Sequence, residues 1–131
     1  MLERLEKPEE NVARLEAFRR TRSSDSIKND TFEEWALRYG LFESIQIVID
    51  IACHVSGKYN LGHAKSYAEC IENLAAYGYL EKELARRLVA AVGLRNLLIH
   101  EYIAVDAEKL FGFLEHLDDF RAFVMQIKAA L

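Results

Sequence analysis

Apolar residues recur three and four positions apart along most of this chain, and the period-two alternation that marks strands is missing. With Pro8 as the only proline, the pattern predicts an all-α protein of four to five helices. Residues 1–22 carry Leu5, Val12, Leu15 and Phe18 among many charges, which predicts an amphipathic helix that Pro8 starts or kinks. Residues 23–30 are polar and turn-rich and read as a loop. Asp30 and Thr31 then offer an N-cap, with Glu33 and Glu34 in the first turn, where the helix dipole favours acids. The core bundle follows over residues 31–131. Its first helix covers residues 31–56, about 26 residues or roughly 39 Å, and Gly57 is placed to end it. A shorter helix over 64–77 turns Tyr67, Cys70, Ile71 and Leu74 inward and is closed by Gly78. A helix over 82–102 comes next. Asp106 caps the last, where Leu110, Phe113, Leu114, Leu117, Phe120, Val124 and Ile127 keep one register.

Three features exceed what such a bundle requires. The long helix has Phe42, Ile47 and Ile51 beyond its main apolar stripe, so its greasy surface is wider than one seam, and a second buried face, a dimer interface, would account for it. Gly93 stands in mid-helix at a cost of about 1 kcal/mol relative to alanine, which points to close approach by another helix or a substrate backbone. The third feature is polar. At about 100° per residue, Arg95 falls in line with Leu84, Leu88, Ala91, Leu98 and Tyr102, while Asn96 and His100 stack one turn apart on the adjoining flank. Arg95, Asn96, His100 and Tyr102 then project within an arc of roughly 160° and can share one cleft.

Composition narrows the setting. A chain of 131 residues, 51% hydrophobic and 29% charged, suits a single domain over residues 1–131 with a real core. The formal net charge of -4 argues against a generic basic coat for nucleic acid but allows a local positive cleft. Cys53 and Cys70 lack CxxC spacing and sit in apolar periodic segments, so they are expected as buried free thiols in a reducing, cytoplasmic setting. No apolar run approaches the roughly 18 residues of a membrane span, and no membrane association is expected. His54, His63 and His116 share no metal-ligand spacing, so neither a metal nor another cofactor is expected.

Cutting an RNA phosphodiester needs a base for the ribose 2′-OH, an acid for the leaving oxygen and donors for charge building on phosphorus. An imidazole can take up or release a proton, so His100 suits either proton-transfer role. Arg95 presents a fork matched to phosphate, and Asn96 can orient His100 or donate to a phosphate oxygen. One histidine per chain leaves one proton role unfilled, and two chains facing each other would supply it. A blander reading fits the same spacing: a buried, satisfied Arg–Asn–His network that specifies packing. Asp50 and His54, four apart on the long helix, are either a local polar pair or part of the cleft lining, and the basic run from Arg19 to Arg22 is either a solvated helix end or an aid to RNA binding.

The run Arg95-Asn96-Leu97-Leu98-Ile99-His100 resembles the R-N-x-x-x-H signature of the HEPN superfamily, and its extension to Glu101-Tyr102 is similar to the HepT-like branch, the toxin half of HEPN/MNT toxin–antitoxin pairs. Ile49-Asp50-Ile51-Ala52-Cys53-His54-Val55, Ser66-Tyr67 and Gly78-Tyr79-Leu80 carry the same likeness, over residues 31–131. Gly62 departs from it, standing where proline is common in relatives. The resemblance implies an antiparallel up-and-down helical bundle of four to five helices that dimerises, and a metal-independent endoribonuclease with Arg95, Asn96 and His100 catalytic. It also implies that Tyr102 accepts AMP from a cognate minimal nucleotidyltransferase antitoxin that silences the toxin. A non-catalytic module that binds a nucleotide or partner through the same helix is the alternative.

Overall fold

The computed structural model describes residues 2–131, with residues 2–4 and 102 described by backbone alone. Among them the chain forms seven α-helices and no strand: α1 (Leu2–Thr21), α2 (Ser24–Lys28), α3 (Thr31–Lys58), α4 (Tyr67–Ala76), α5 (Lys82–His100), α6 (Ala107–Phe113) and α7 (Asp118–Ala130). Single 3₁₀ turns cover Tyr102–Ala104 and Leu114–His116. The expected all-α bundle is borne out. No described helix is long and apolar enough to cross a membrane.

The caps expected at Asp30 and Asp106 form, and Ser66 supplies a third. The Asp30 carboxylate accepts from the Glu33 N–H at 3.1 Å at the start of α3, Ser66 accepts from Glu69 at 3.2 Å before α4, and Asp106 accepts from Lys109 at 2.9 Å before α6. Each satisfies a backbone donor that the first helical turn leaves unpaired. Because Ser66 is the cap, α4 starts at Tyr67, three residues later than its apolar pattern suggests. Gly57 does not end α3, which runs on to Lys58 and is capped at Tyr59; Asn60 then takes the left-handed conformation, φ 53°. Pro8 lies inside α1 rather than at its start.

Two further departures come from single residues that an average over a window hides. The expected polar loop contains α2, where Ser23 and Ser26 form a reciprocal capping box and Ile27 is fully buried. That one isoleucine anchors the segment, and Lys28 pairs with Glu108 of α6 at 2.8 Å. The expected final helix is broken between Phe113 and Asp118, with Gly112 next to the break, yet Leu114, Leu117 and Phe120 all stay buried, so the apolar register carries across it.

The core is built on α3, which packs against α1, α4 and α5, while α7 packs against α1 and α5. Arg121 of α7 closes the α1 side by pairing with both carboxylate oxygens of Glu9 and of Glu16 at 2.7–3.0 Å. The cysteines are not free thiols: Cys53 of α3 and Cys70 of α4 are joined by a disulfide with Cα atoms 4.9 Å apart. Both face the α3–α4 seam, the position that made them look like apolar core residues, and the argument for a reducing compartment falls with their pairing.

The width of the apolar surface on α3 is also explained differently. Ile51 is buried and Ile47 packs against the core, so the chain itself covers them. What remains uncovered is nearer the start of the helix, where Phe32, Trp35 and Tyr39 are 77%, 58% and 63% exposed. At Gly93 an added Cβ would meet nothing within 4 Å, so no described part of this chain makes the close approach expected there.

Candidate functional site

The motif helix stops at His100. Glu101 donates its N–H to the Leu97 carbonyl at 2.8 Å, and the chain then turns through Tyr102–Ala104. Tyr102 therefore leaves the helix, and the expected straight seam from Arg95 to Tyr102 does not form; the side chain of Tyr102 lies outside the described residues. The turn is anchored from α3 by Arg38, whose Nη2 donates to the Val105 carbonyl at 2.5 Å. Val105 itself is buried.

Arg95 is half-buried, whereas Asn96 and His100 are exposed. The group is therefore open to solvent, unlike a buried network that serves packing alone. Arg95 is held on three sides. Its Nε donates to Gln46 Oε1 at 2.9 Å, its Nη1 donates to Asn96 Oδ1 at 3.0 Å, and its guanidinium carbon lies 5.6 Å from the Phe42 ring centre and 5.1 Å from that of Tyr67. Rings at that range attract a cation through their quadrupoles. Gln46 Nε2 donates onward to Asp50 Oδ1 at 2.9 Å. A polar line thus runs Asp50–Gln46–Arg95–Asn96 across α3 and α5.

These contacts decide what each group has left. The Asn96 oxygen is taken by Arg95, so its Nδ2 is the end free to donate outward; among the described residues no bond joins Asn96 to His100. Arg95 Nη2 forms no hydrogen bond with a described residue. Asp50 belongs to the Arg95 line through Gln46 and makes no hydrogen bond to His54, which is exposed one turn further along α3. Of the basic run, Arg19 and Arg20 are exposed at the end of α1, while Arg22 is engaged, 2.8 Å from Glu33 and over the Phe18 ring.

Gln46, Phe42 and Tyr67 are the site residues that sequence patterning did not single out. Gln46 was visible only as a polar break in an apolar helix, four residues before Asp50. Tyr67 had been expected to point inward but is 43% exposed, with its ring toward Arg95. Beside the motif, Trp35, Arg38, Tyr39, Phe42, Leu98 and Ile99 line a recess of about 320 Å³. Among the described residues no group of three His, Cys, Asp or Glu side chains is placed to hold a metal ion.

A profile of the ribonuclease HepT-like family matches residues 9–127, and the chain belongs to that family. It is 32% identical over 103 residues, 77% of this chain and 70% of the other, to a protein named tRNA nuclease HepT from Aphanizomenon flos-aquae. It is 33% identical over 82 residues, 62% of each, to one named mRNA nuclease HepT from Shewanella oneidensis. In fold it matches the tri-AMPylated HEPN toxin of Shewanella oneidensis solved in complex with its MNT antitoxin, with a TM-score of 0.87, 24% identity and coverage of 98% of this chain and 96% of that one.

Proposed function

We propose that this chain is the nuclease toxin of a HEPN/MNT pair, cutting RNA as a homodimer without a metal ion. The observation that carries the reading is the state of Arg95: a guanidinium held at Nε by Gln46 and at Nη1 by Asn96, with its Nη2 making no hydrogen bond among the described residues, beside an exposed histidine. Such a fork is prepared for the oxygens of a phosphodiester.

In the proposed reaction the ribose 2′-oxygen attacks the adjacent phosphorus, its proton passes to a base, and the bond from phosphorus to the 5′-oxygen breaks as that oxygen takes a proton. The products are a 2′,3′-cyclic phosphate and a 5′-hydroxyl, and no co-reactant is needed. His100 acts in proton transfer, Arg95 neutralises charge on the phosphoryl oxygens, and Asn96 donates through Nδ2 to the same oxygens. A second His100 from the partner copy takes the other proton role. The exposed Phe32, Trp35 and Tyr39, clustered within two turns of α3, support dimerisation, because clustered apolar side chains on a surface mark interaction sites.

Tyr102 is proposed as the acceptor of AMP from a cognate nucleotidyltransferase. It stands on the turn two residues beyond His100, so phosphates added there bring negative charge to the cleft that RNA must enter. The test is intact-mass analysis after incubation with ATP and the neighbouring nucleotidyltransferase: added AMP on the wild type and none on Tyr102→Phe.

A further inference from the structure

We propose that Gln46 is a positioning residue for Arg95, holding the guanidinium in register for phosphate through a relay that begins at Asp50. The inference rests on the nuclease reading above and names a residue of α3, 49 positions from Arg95 in sequence, that touches no reacting atom.

Donor and acceptor chemistry fixes the relay in one sense. The Nε–H of an arginine can only donate, so Gln46 must turn its amide oxygen toward it, and this sends the amide nitrogen the other way. There it meets Asp50, whose ionised carboxylate can only accept. Flipping the amide would set a donor against a donor at Arg95 and an acceptor against an acceptor at Asp50. Both ends of Gln46 are thereby locked, and with them the rotation of the Arg95 side chain about its last carbon–nitrogen bond.

The remaining contacts complete the lock. Nη1 meets Asn96 Oδ1, and the rings of Phe42 and Tyr67 restrict the guanidinium plane. Three N–H groups of the fork, the two of Nη2 and the second of Nη1, make no hydrogen bond among the described residues. Without Gln46 the Nε–H would be solvated and the fork held only by Asn96 and the two rings, and misplacement of a charge-stabilising group by about 1 Å can cost on the order of 100-fold in rate.

The test uses Gln46→Met, which keeps the length and loses both hydrogen bonds, on multiple-turnover cleavage of a labelled tRNA transcript. The expected result is a kcat at least tenfold lower with KM within twofold and an unchanged thermal midpoint. Gln46→Glu combined with Asp50→Asn restores an acceptor facing Arg95 and a donor facing position 46, and is expected to recover most of the lost kcat. Wild-type kcat in Gln46→Met, or no recovery in the combined variant, overturns the proposal. A second readout is independent of cleavage: the Nε–H of Arg95 in ¹⁵N-edited NMR, expected to be protected from exchange in the wild type and unprotected in Gln46→Met. Equal protection in the two overturns the relay even if no RNA is cut, whereas a wild type that cuts nothing while showing this difference overturns only the nuclease reading.

Discussion

Arg95 donates through Nε to the side-chain oxygen of Gln46 at 2.9 Å, joining the motif helix to the long central helix across 49 residues of sequence. The contact determines which edge of the guanidinium is spent inside the protein and which faces outward. It also separates this group from a packing network, since Asn96 and His100 stand in solvent beside it.

The Arg121 clamp should make stability depend on pH in a defined direction. Hydrogen bonds from Arg121 hold the Glu9 and Glu16 carboxyls below the ordinary carboxylate value, against a smaller opposing push from burial. A carboxyl lowered in the folded state contributes stability that is full above its unfolded value, 4.5, and is lost as pH falls through the lower folded value. Arg121→Met is expected to cost about 1 kcal/mol at neutral pH, a modest figure because solvent reaches and screens these partly exposed groups. The gap should close as pH drops below 4.5, and urea melts at several pH values measure it.

The disulfide ties α3 to α4 over a separation of 17 residues. A link closing a loop of about this size stabilises by about 3 kcal/mol in the chain-entropy account. Thiol titration of the protein unfolded without reductant is expected to find no reactive cysteine, and Cys53→Ser with Cys70→Ser should lower urea stability by about 2–3 kcal/mol. Two reactive thiols in the untreated protein would contradict the pairing.

Trp35 tests the proposed dimer. If the aromatic face of α3 is covered by a second copy, Trp35→Glu places a charge in that interface and should convert a dimer to a folded monomer in light scattering. RNA cleavage should fall with it, because the site then lacks the second histidine. A monomeric wild type that cleaves at full rate would remove the dimer from the mechanism.

Much of this was legible in the sequence because it depends on local rules. Helical spacing gave the all-α fold, and Asp30 and Asp106 cap where side-chain oxygens precede apolar periods. Arg95, Asn96 and His100 were legible as neighbours because a helix fixes their offsets. The features that were missed depend on tertiary contact. Ile27 is one apolar residue in a polar run, and its burial anchors the segment as a helix that the Ser23–Ser26 capping box starts. Gln46 and Tyr67 reach Arg95 from two other helices, which no periodicity within α5 records. Tyr102 departs from the helix because Arg38 anchors the following turn, again from α3.

The central claim is that His100 and Arg95 form a centre that cuts RNA, and the most direct measurement is cleavage of a labelled tRNA transcript in EDTA by the purified wild type and by His100→Ala. The account predicts cleavage by the wild type yielding a 2′,3′-cyclic phosphate end, and a loss of at least 1,000-fold in His100→Ala, the scale of losing a proton-transfer group worth about 10²–10⁴, with the helical spectrum and melting temperature unchanged. Equal cleavage by a folded His100→Ala would contradict it.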